Sequence, residues 1–381
     1  MLNILYICTP NSIHDLKWMS YFAVQRDKYR VYAVGEIQNP ISYQEEEDLQ
    51  NYNIKLLPPI FSFSLLRPNK TKKSIKMLKS YLKQYEIHFV HVLFATPYAL
   101  WCSYINKPYI ITTRGSDILK VIPELLKTKG TKRLYFRELF KLFKKSFLGA
   151  NAITCTSNQQ QRKIKELYGL DSELIRTGID FDRIQALEKE DLILPELKGL
   201  RFIFSPRFMK PIYNIEYQLN AIESVQESVI KDYTFLFVKG RNFEEAYFLN
   251  QKKRLEELKN SIGLKYLIVD YFNQETLWMH YKRASLCIMT PTSDGTPNSA
   301  LEAMASKCPL IVSDLKYDTE LFENTCIRTD LNDANSLALL IESALVNYKN
   351  EMLVNAVKQV KLNGNRTIEM EKLEKLYSSV I

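Results

Sequence analysis

One pattern runs through the chain twice: a short apolar run, a segment with apolar residues at helical spacing, then another short run. In the first half the runs are residues 4–8, 31–34, 87–93, 109–113 and 152–155. In the second they are 201–205, 234–238, 266–269, 286–289 and 309–313. Strands alternating with helices imply a parallel sheet with right-handed crossovers. The polar stretch 187–199 separates the two series. The reading is an α/β chain of two Rossmann-like domains, a length of 381 residues being ample for two. The first is expected over residues 1–188 and the second over 189–365, with a C-terminal helix near 366–381 packing back on the first. Such a pair leaves an interdomain cleft at the carboxyl ends of the strands, where open α/β sheets bind ligands.

Several classes are excluded early. A chain that is 46% hydrophobic and 25% charged is not disordered. No apolar run approaches the ~20 residues of a spanning helix. The uncharged stretch 89–105 is broken by His91, Thr96, Pro97 and Ser103. The opening MLNILYICTPN lacks a basic segment ahead of a long apolar one, so no signal peptide is expected. Cys8, Cys102, Cys155, Cys287, Cys308 and Cys326 show no two-residue spacing and read as reduced, buried thiols of a cytoplasmic protein. No strand is followed by Gly-x-Gly-x-x-Gly and there is no Gly-Lys-Ser/Thr, against a dehydrogenase and a P-loop kinase.

Charge is uneven. Residues 1–190 hold 29 Lys/Arg and 18 Asp/Glu, whereas 191–381 hold 23 and 25. The excess concentrates in residues 70–83, with six lysines and no acid, and in 120–145, with nine basic residues against Glu124 and Glu138. The stretch from Lys127 to Lys145 interleaves basic groups with Leu134, Phe136, Leu139, Phe140, Leu142 and Phe143. A basic, aromatic-rich amphipathic helix of this kind serves an anionic leaflet or the core, and one helix can do both. No zinc-finger or RNA-binding signature accompanies the charge, so nucleic acid is not an expected partner.

Chemistry concentrates in TPTSDGTPNSALEAMASKCPLIVSD, residues 290–314. A strand ends in a polar turn; Pro297 suits the first position of a helix expected over 298–306, and a strand follows. The N–H groups of Asn298, Ser299 and Ala300 then face whatever lies above the sheet, a site that favours an anion such as a diphosphate. Asp294 and Glu302, eight positions apart, supply carboxylates that accept hydroxyl hydrogen bonds on either side of that anion.

This segment resembles the retaining, family-four glycosyltransferases of GT-B fold, whose motif is an acidic residue, seven residues, then Glu around a Gly-x-Pro-Asn turn. The resemblance implies that Glu302 holds the ribose hydroxyls of a nucleotide-sugar and Asp294 the donor sugar. It also implies that the segment Gly295, Thr296, Pro297, Asn298, Ser299, Ala300 and Leu301 cradles sugar and diphosphate, through those of its amides that carry an N–H. The family more often has Glu at the position of Asp294. Other segments match along nearly the whole chain. TPNSIHDLKW brings His14 and HVLFATPYALW opens on His91, while IITTRGSDIL carries Asp117, with Arg114 where histidine is common. ITCTSNQQ and LIRTGID, with Gly178 and Asp180, resemble the end of the first domain. FIFSPRFMKPIYNIE resembles the phosphate loop: Arg207 fits, the expected lysine position holds Ile212, and Lys210 is the substitute. YFNQETLWMHYKRA sets Tyr271 and Phe272 beside the nucleobase. His14, His91, Arg114 and Asp117 are the implied acceptor-side residues; His88 and His280 carry no reading beyond a structural one.

The resemblance thus implies transfer of a glycosyl group from a nucleotide-diphosphate sugar to a hydroxyl, with anomeric configuration retained. Asp294, Arg207 and Glu302 are the expected catalytic set, and no cofactor or metal is required. The acceptor is expected to be saccharide or lipid-linked, in assembly of a bacterial cell-surface polysaccharide. The protein is expected in the cytoplasm, peripheral on the inner face of the membrane. Two other readings share the motifs: a catalytically silent nucleotide-sugar or polysaccharide-binding subunit, and a sugar-nucleotide epimerase of the same fold.

Overall fold

The computed structural model describes residues 1–37, 49–240 and 243–380. The chain divides into two compact units, Met1–Thr177 with Glu369–Ile381, and Gly178–Ile368. Each is built on a wholly parallel sheet.

In the first unit β1 (Leu2–Ile7), β2 (Tyr29–Val34), β3 (Ile54–Leu56), β4 (Phe89–Leu93), β5 (Tyr109–Thr113), β6 (Ala152–Cys155) and β7 (Glu173–Leu174) lie in the order β3-β2-β1-β4-β5-β6-β7. The helices that matter below are α1 (Ile13–Ala23), α2 (Pro68–Gln84), α3 (Ile122–Lys127), α4 (Arg133–Leu148) and α5 (Asn158–Tyr168). Sheets covered on both faces need continuous apolar strands, and alternate residues of β1 serve opposite cores. Leu5 and Ile7 join one apolar cluster; Ile4 and Tyr6 join the other. The aromatic stripe of α4 belongs to the first of these clusters: Leu139, Phe143 and Phe147 are buried there, with Tyr135, Phe136 and Phe140 packed at its margin.

In the second unit β8 (Arg201–Phe208), β9 (Tyr233–Val238), β10 (Tyr266–Val269), β11 (Leu286–Met289), β12 (Leu310–Ser313) and β13 (Ile327–Thr329) lie in the order β10-β9-β8-β11-β12-β13. Around them stand α6 (Phe181–Ala186), α7 (Ile215–Ile222), α8 (Glu245–Ile262), α9 (Gln274–Arg283), α10 (Asn298–Ala305), α11 (Ala334–Asn347) and α12 (Asn350–Asn363). Phe202 and Phe204 of β8 face one core and Ile203 the other. In each sheet the strand order reverses beside the first strand, at β1/β4 and at β8/β11. These are the topological switch points where such sheets open a crevice for ligands.

The boundary falls earlier than residue 188. Ile179, Phe181, Ile184 and Leu187 are buried in the second unit's core, so the segment 178–188 folds there. Gly178 requires its left-handed φ of +65°, and a Cβ on it would meet the Arg366 backbone at 2.6 Å. Asp180 pairs with Arg366. The last helix, α13 (Arg366–Val380), places Met370, Leu373, Leu376 and Tyr377 in the first unit's core against Phe22 and Phe89.

Candidate functional site

The densest polar constellation of the second unit gathers at the β8/β11 switch point. Ser205 pairs with Phe237 and Phe208 with Val238, so Pro206 and Arg207 bulge from the end of β8. A bulge re-aims a side chain, and the Arg207 guanidinium reaches the turn after β11. It donates to Asp294 Oδ2 at 2.8 Å and to Ser299 Oγ at 2.5 Å. It also lies over the Tyr213 ring, 4.1 Å from the centroid. The turn is itself braced. Asp294 Oδ1 accepts from the Gly295 N–H, Thr296 Oγ1 meets Asp318, and the Thr292 N–H donates to the Ile212 carbonyl. That last bond ties the loop bearing Asp294 to the loop bearing Tyr213.

Pro297 is the N-cap of α10 rather than its first residue, and its carbonyl accepts from Ala300 and Leu301. The helix thus consumes the Ala300 and Leu301 N–H groups, and both side chains are fully buried in the core. Neither is open to a ligand, contrary to the expectation from the motif. Among the described residues no acceptor meets the N–H of Asn298 or Ser299, which leaves those two amides at the positive end of the helix dipole. Ser299 and Glu302, three residues apart, share a helix face. Glu302 is buried and accepts from Gln274 Nε2 at 3.1 Å. Arg207 thus ties Asp294 to Ser299, and Glu302 stands about one turn further along the Ser299 face of the helix. Among the described residues the buried Tyr281 hydroxyl and Ser205 Oγ of this region meet no hydrogen-bond partner. Burial drives the Tyr281 phenol well above its ordinary pKa, with Glu302 and Arg207 among the charges that act on it.

The remaining expected residues of this unit are placed as follows. Lys210, half-buried, follows the bulge, and Ile212 beside it is exposed. Tyr271 is half-exposed at the end of β10. The Phe272 ring instead turns inward and stacks on His280 at 4.4 Å, so only its backbone faces outward chemistry. Tyr213 and Gln274 were not singled out by the sequence. The signal for each was its place inside a matched segment, FIFSPRFMKPIYNIE and YFNQETLWMHYKRA.

In the first unit the expected acceptor-side residues separate into two groups. Arg114 forms an ion pair with buried Asp15, whose other oxygen accepts from the Thr9 N–H at 2.9 Å. Burial lowers the Arg114 guanidinium to about 10, still protonated at neutral pH. Asp117 does not pair with the guanidinium. Fully buried, it accepts from the backbone N–H groups of Ala95, Arg114, Gly115 and Ile118. Burial raises its pKa and these four donors oppose the shift; its work is to shape the loop after β5. His14 is exposed at the start of α1. His91 is corrected outright. It is wholly buried, Nδ1 2.5 Å from Tyr377 Oη and Nε2 2.6 Å from Thr112 Oγ1. Both ring nitrogens are engaged inside the core, so it meets no acceptor. Asp15, on the first turn of the helix after β1, is the polar residue that the motifs passed over.

Comparison with known proteins follows the same division. The sequence profile described as Glycosyltransferase Family 4 matches residues 23–183, and that described as Glycosyl transferases group 1 matches 199–347. A Bacillus subtilis (strain 168) protein named as a teichuronic acid biosynthesis glycosyltransferase, TuaC, is 24% identical over 255 residues. That match spans 63% of this chain and 57% of the relative's length. Among solved structures, a glycosyltransferase from Rickettsia africae ESF-5 superposes with a TM-score of 0.76 at 14% identity, covering 100% of this chain and 98% of the other. Anabaena HepE in complex with UDP gives 0.73 at 13% identity, covering 100% of both. At these identities the structural likenesses establish the GT-B fold.

Proposed function

The chain belongs to the family-four glycosyltransferases, and we propose that it moves a sugar from a nucleotide-diphosphate sugar to a hydroxyl of a saccharide or lipid-linked acceptor. One observation carries this reading: Arg207 bonds both Asp294 and Ser299 beside the first amides of α10, the helix whose second turn carries Glu302. Breaking an anomeric C–O bond builds negative charge on the departing diphosphate. A guanidinium and two oriented N–H groups stabilise that charge without reorganising as it forms. Asp294 holds the donor sugar and Glu302 the ribose. HepE, solved with UDP and with UDP-glucose, supports a nucleotide-sugar donor by likeness.

In this reading the anomeric configuration is retained, as the family resemblance implies, and a departing phosphate oxygen takes the acceptor proton. Arg207 and the helix amides take the charge that a metal would otherwise neutralise, so no metal is assigned. The product is a cell-surface polysaccharide, as the name of the Bacillus relative suggests. No helix among the described residues is long and apolar enough to cross a membrane; the basic stretch from Lys127 to Lys145 is assigned to a peripheral contact with an anionic leaflet.

The test is a melting-temperature screen against nucleotide-sugars, followed by proton NMR of the product. A donor bound only to the folded chain raises its melting temperature. The reading predicts a shift with one nucleotide-sugar and an anomeric coupling unchanged from that donor. An inverted anomer removes the retaining mechanism. A chain that no nucleotide-sugar or nucleoside diphosphate stabilises removes the donor site.

A further inference from the structure

The lysine-rich run 70–83 has no part in the chemistry above. In the structure it is α2, which buries Ser74, Leu78, Tyr81 and Leu82 on one face. Lys72, Lys76, Lys79 and Lys83 are all exposed, and their spacing of four, three and four residues sets them in one row on the opposite face. Among the described residues none of the four has a carboxylate within ion-pair distance. Four like charges in line are mildly unfavourable for an isolated helix and leave a concentrated positive field on this face.

The row runs into a cavity of about 770 Å³ at the amino edge of the first sheet, lined by Lys79, Lys83, His88 and Lys107 above Leu82 and Ile87. Among the described residues Glu86 is the single carboxylate lining it. His88 Nδ1 accepts from the Asn3 N–H at 3.0 Å, which in the neutral ring leaves Nε2 to donate. The cavity thus offers three ammonium groups and an imidazole donor against one carboxylate, which suits a sugar ring bearing an acid. Successive charges of the row advance about 5 Å along the helix axis, comparable to one pyranose residue of an extended chain.

We propose that α2 and this cavity form a binding track for an acidic glycan chain. It holds a carboxylate-bearing polymer at the edge of the unit opposite the strands' carboxyl ends. Such a tether raises the local concentration of a growing polymer without contributing to bond chemistry. A lipid leaflet is flat and does not fill a cavity. The choice of a glycan among polyanions rests on the transferase reading; the binding site itself does not.

Isothermal titration of the full chain with sodium polygalacturonate at low ionic strength tests it, with neutral dextran as control. The wild type binds polygalacturonate and not dextran, and added salt weakens the binding. Replacing Lys76, Lys79 and Lys83 together by Gln weakens it at least about tenfold. Replacing Lys144 and Lys145 of α4 by Gln changes it by less than about twofold. All five are exposed, and an unchanged melting curve shows that the fold is kept. Equal affinity in the α2 triple variant overturns the proposal. So does a triple variant that loses phosphatidylglycerol vesicles and keeps the glycan. Stabilisation by nucleotide-sugars, measured separately, decides the donor site, so either reading can fall alone.

Discussion

At the scale of single residues, the charge balance around Arg207 separates the roles of the two acids. Asp294 lies 2.8 Å from the guanidinium and offsets its charge. A diphosphate must share that cation with the carboxylate. Asp294→Asn removes the competing charge and keeps the shape, so UDP affinity should hold or rise. Transfer should fall by roughly two orders of magnitude, because a group aimed at the reacting sugar is lost. Glu302→Ala should behave differently. It removes a buried acceptor bonded to Gln274 and assigned to the ribose, so UDP affinity and transfer should fall together, the former by about tenfold or more. Calorimetry with UDP beside a transfer assay reads both. Parallel behaviour of the two variants would contradict the division of labour. Much of this site is legible in the sequence because it is local: strand, turn, cap and both acids lie within one 25-residue stretch. The partners of Arg114 are not legible. Asp15 is 99 residues away, and no local spacing distinguishes it from Asp117, three residues on.

At the scale of elements, the buried strands announce themselves as continuous apolar runs, since a parallel sheet covered on both faces excludes polar alternation. His91 shows where that signal ends. Its place in β4 is evident, but its surroundings come from Tyr377 of α13, 286 residues later, whose hydroxyl bonds both to His91 and to Tyr6 at 2.8 Å. A histidine at a strand reads as functional until the returning helix is known to cover it. Burial lowers the His91 pKa to about 3, against ~6.5 in an unfolded chain. Below pH ~6.5 the unfolded state therefore binds a proton that the folded state refuses. The stability owed to neutral His91 is complete above that pH and is lost progressively as pH falls towards 3. His91→Gln should cost stability at pH 7, where it loosens a hydrogen-bonded core, yet its deficit relative to wild type should shrink as pH falls to 4. Paired thermal melts across that range measure the gap. A deficit that stays constant or widens in acid would show that His91 is already charged in the fold.

At the scale of the whole molecule, the basic excess of the first half acts through surfaces rather than through the sheet. The aromatic stripe of α4 is committed to the core, so the leaflet contact cannot be made by Phe143 or Phe147. What remains exposed is the junction of α3 and α4, where Leu126 and Leu134, 50% and 72% exposed, flank Lys127, Lys129, Lys132 and Arg133. In the proposed leaflet contact these two apolar side chains and four cations would meet the surface together, and each cation near an anionic surface adds about 1 kcal/mol. Sedimentation with phosphatidylglycerol vesicles at low salt should carry the wild type down. Reversing Lys132 and Arg133 to Glu should release it by well over about tenfold, whereas the Lys76, Lys79 and Lys83 variant of α2 should sediment as before. Release by salt alone, with Leu134→Ser without effect, would mean that the leucines stay in water and that the contact is purely electrostatic. Failure of the wild type to sediment would leave the acceptor to be met in solution, with the donor site untouched. Two basic surfaces on one unit then carry different partners, and the pair of variants assigns each without reference to catalysis.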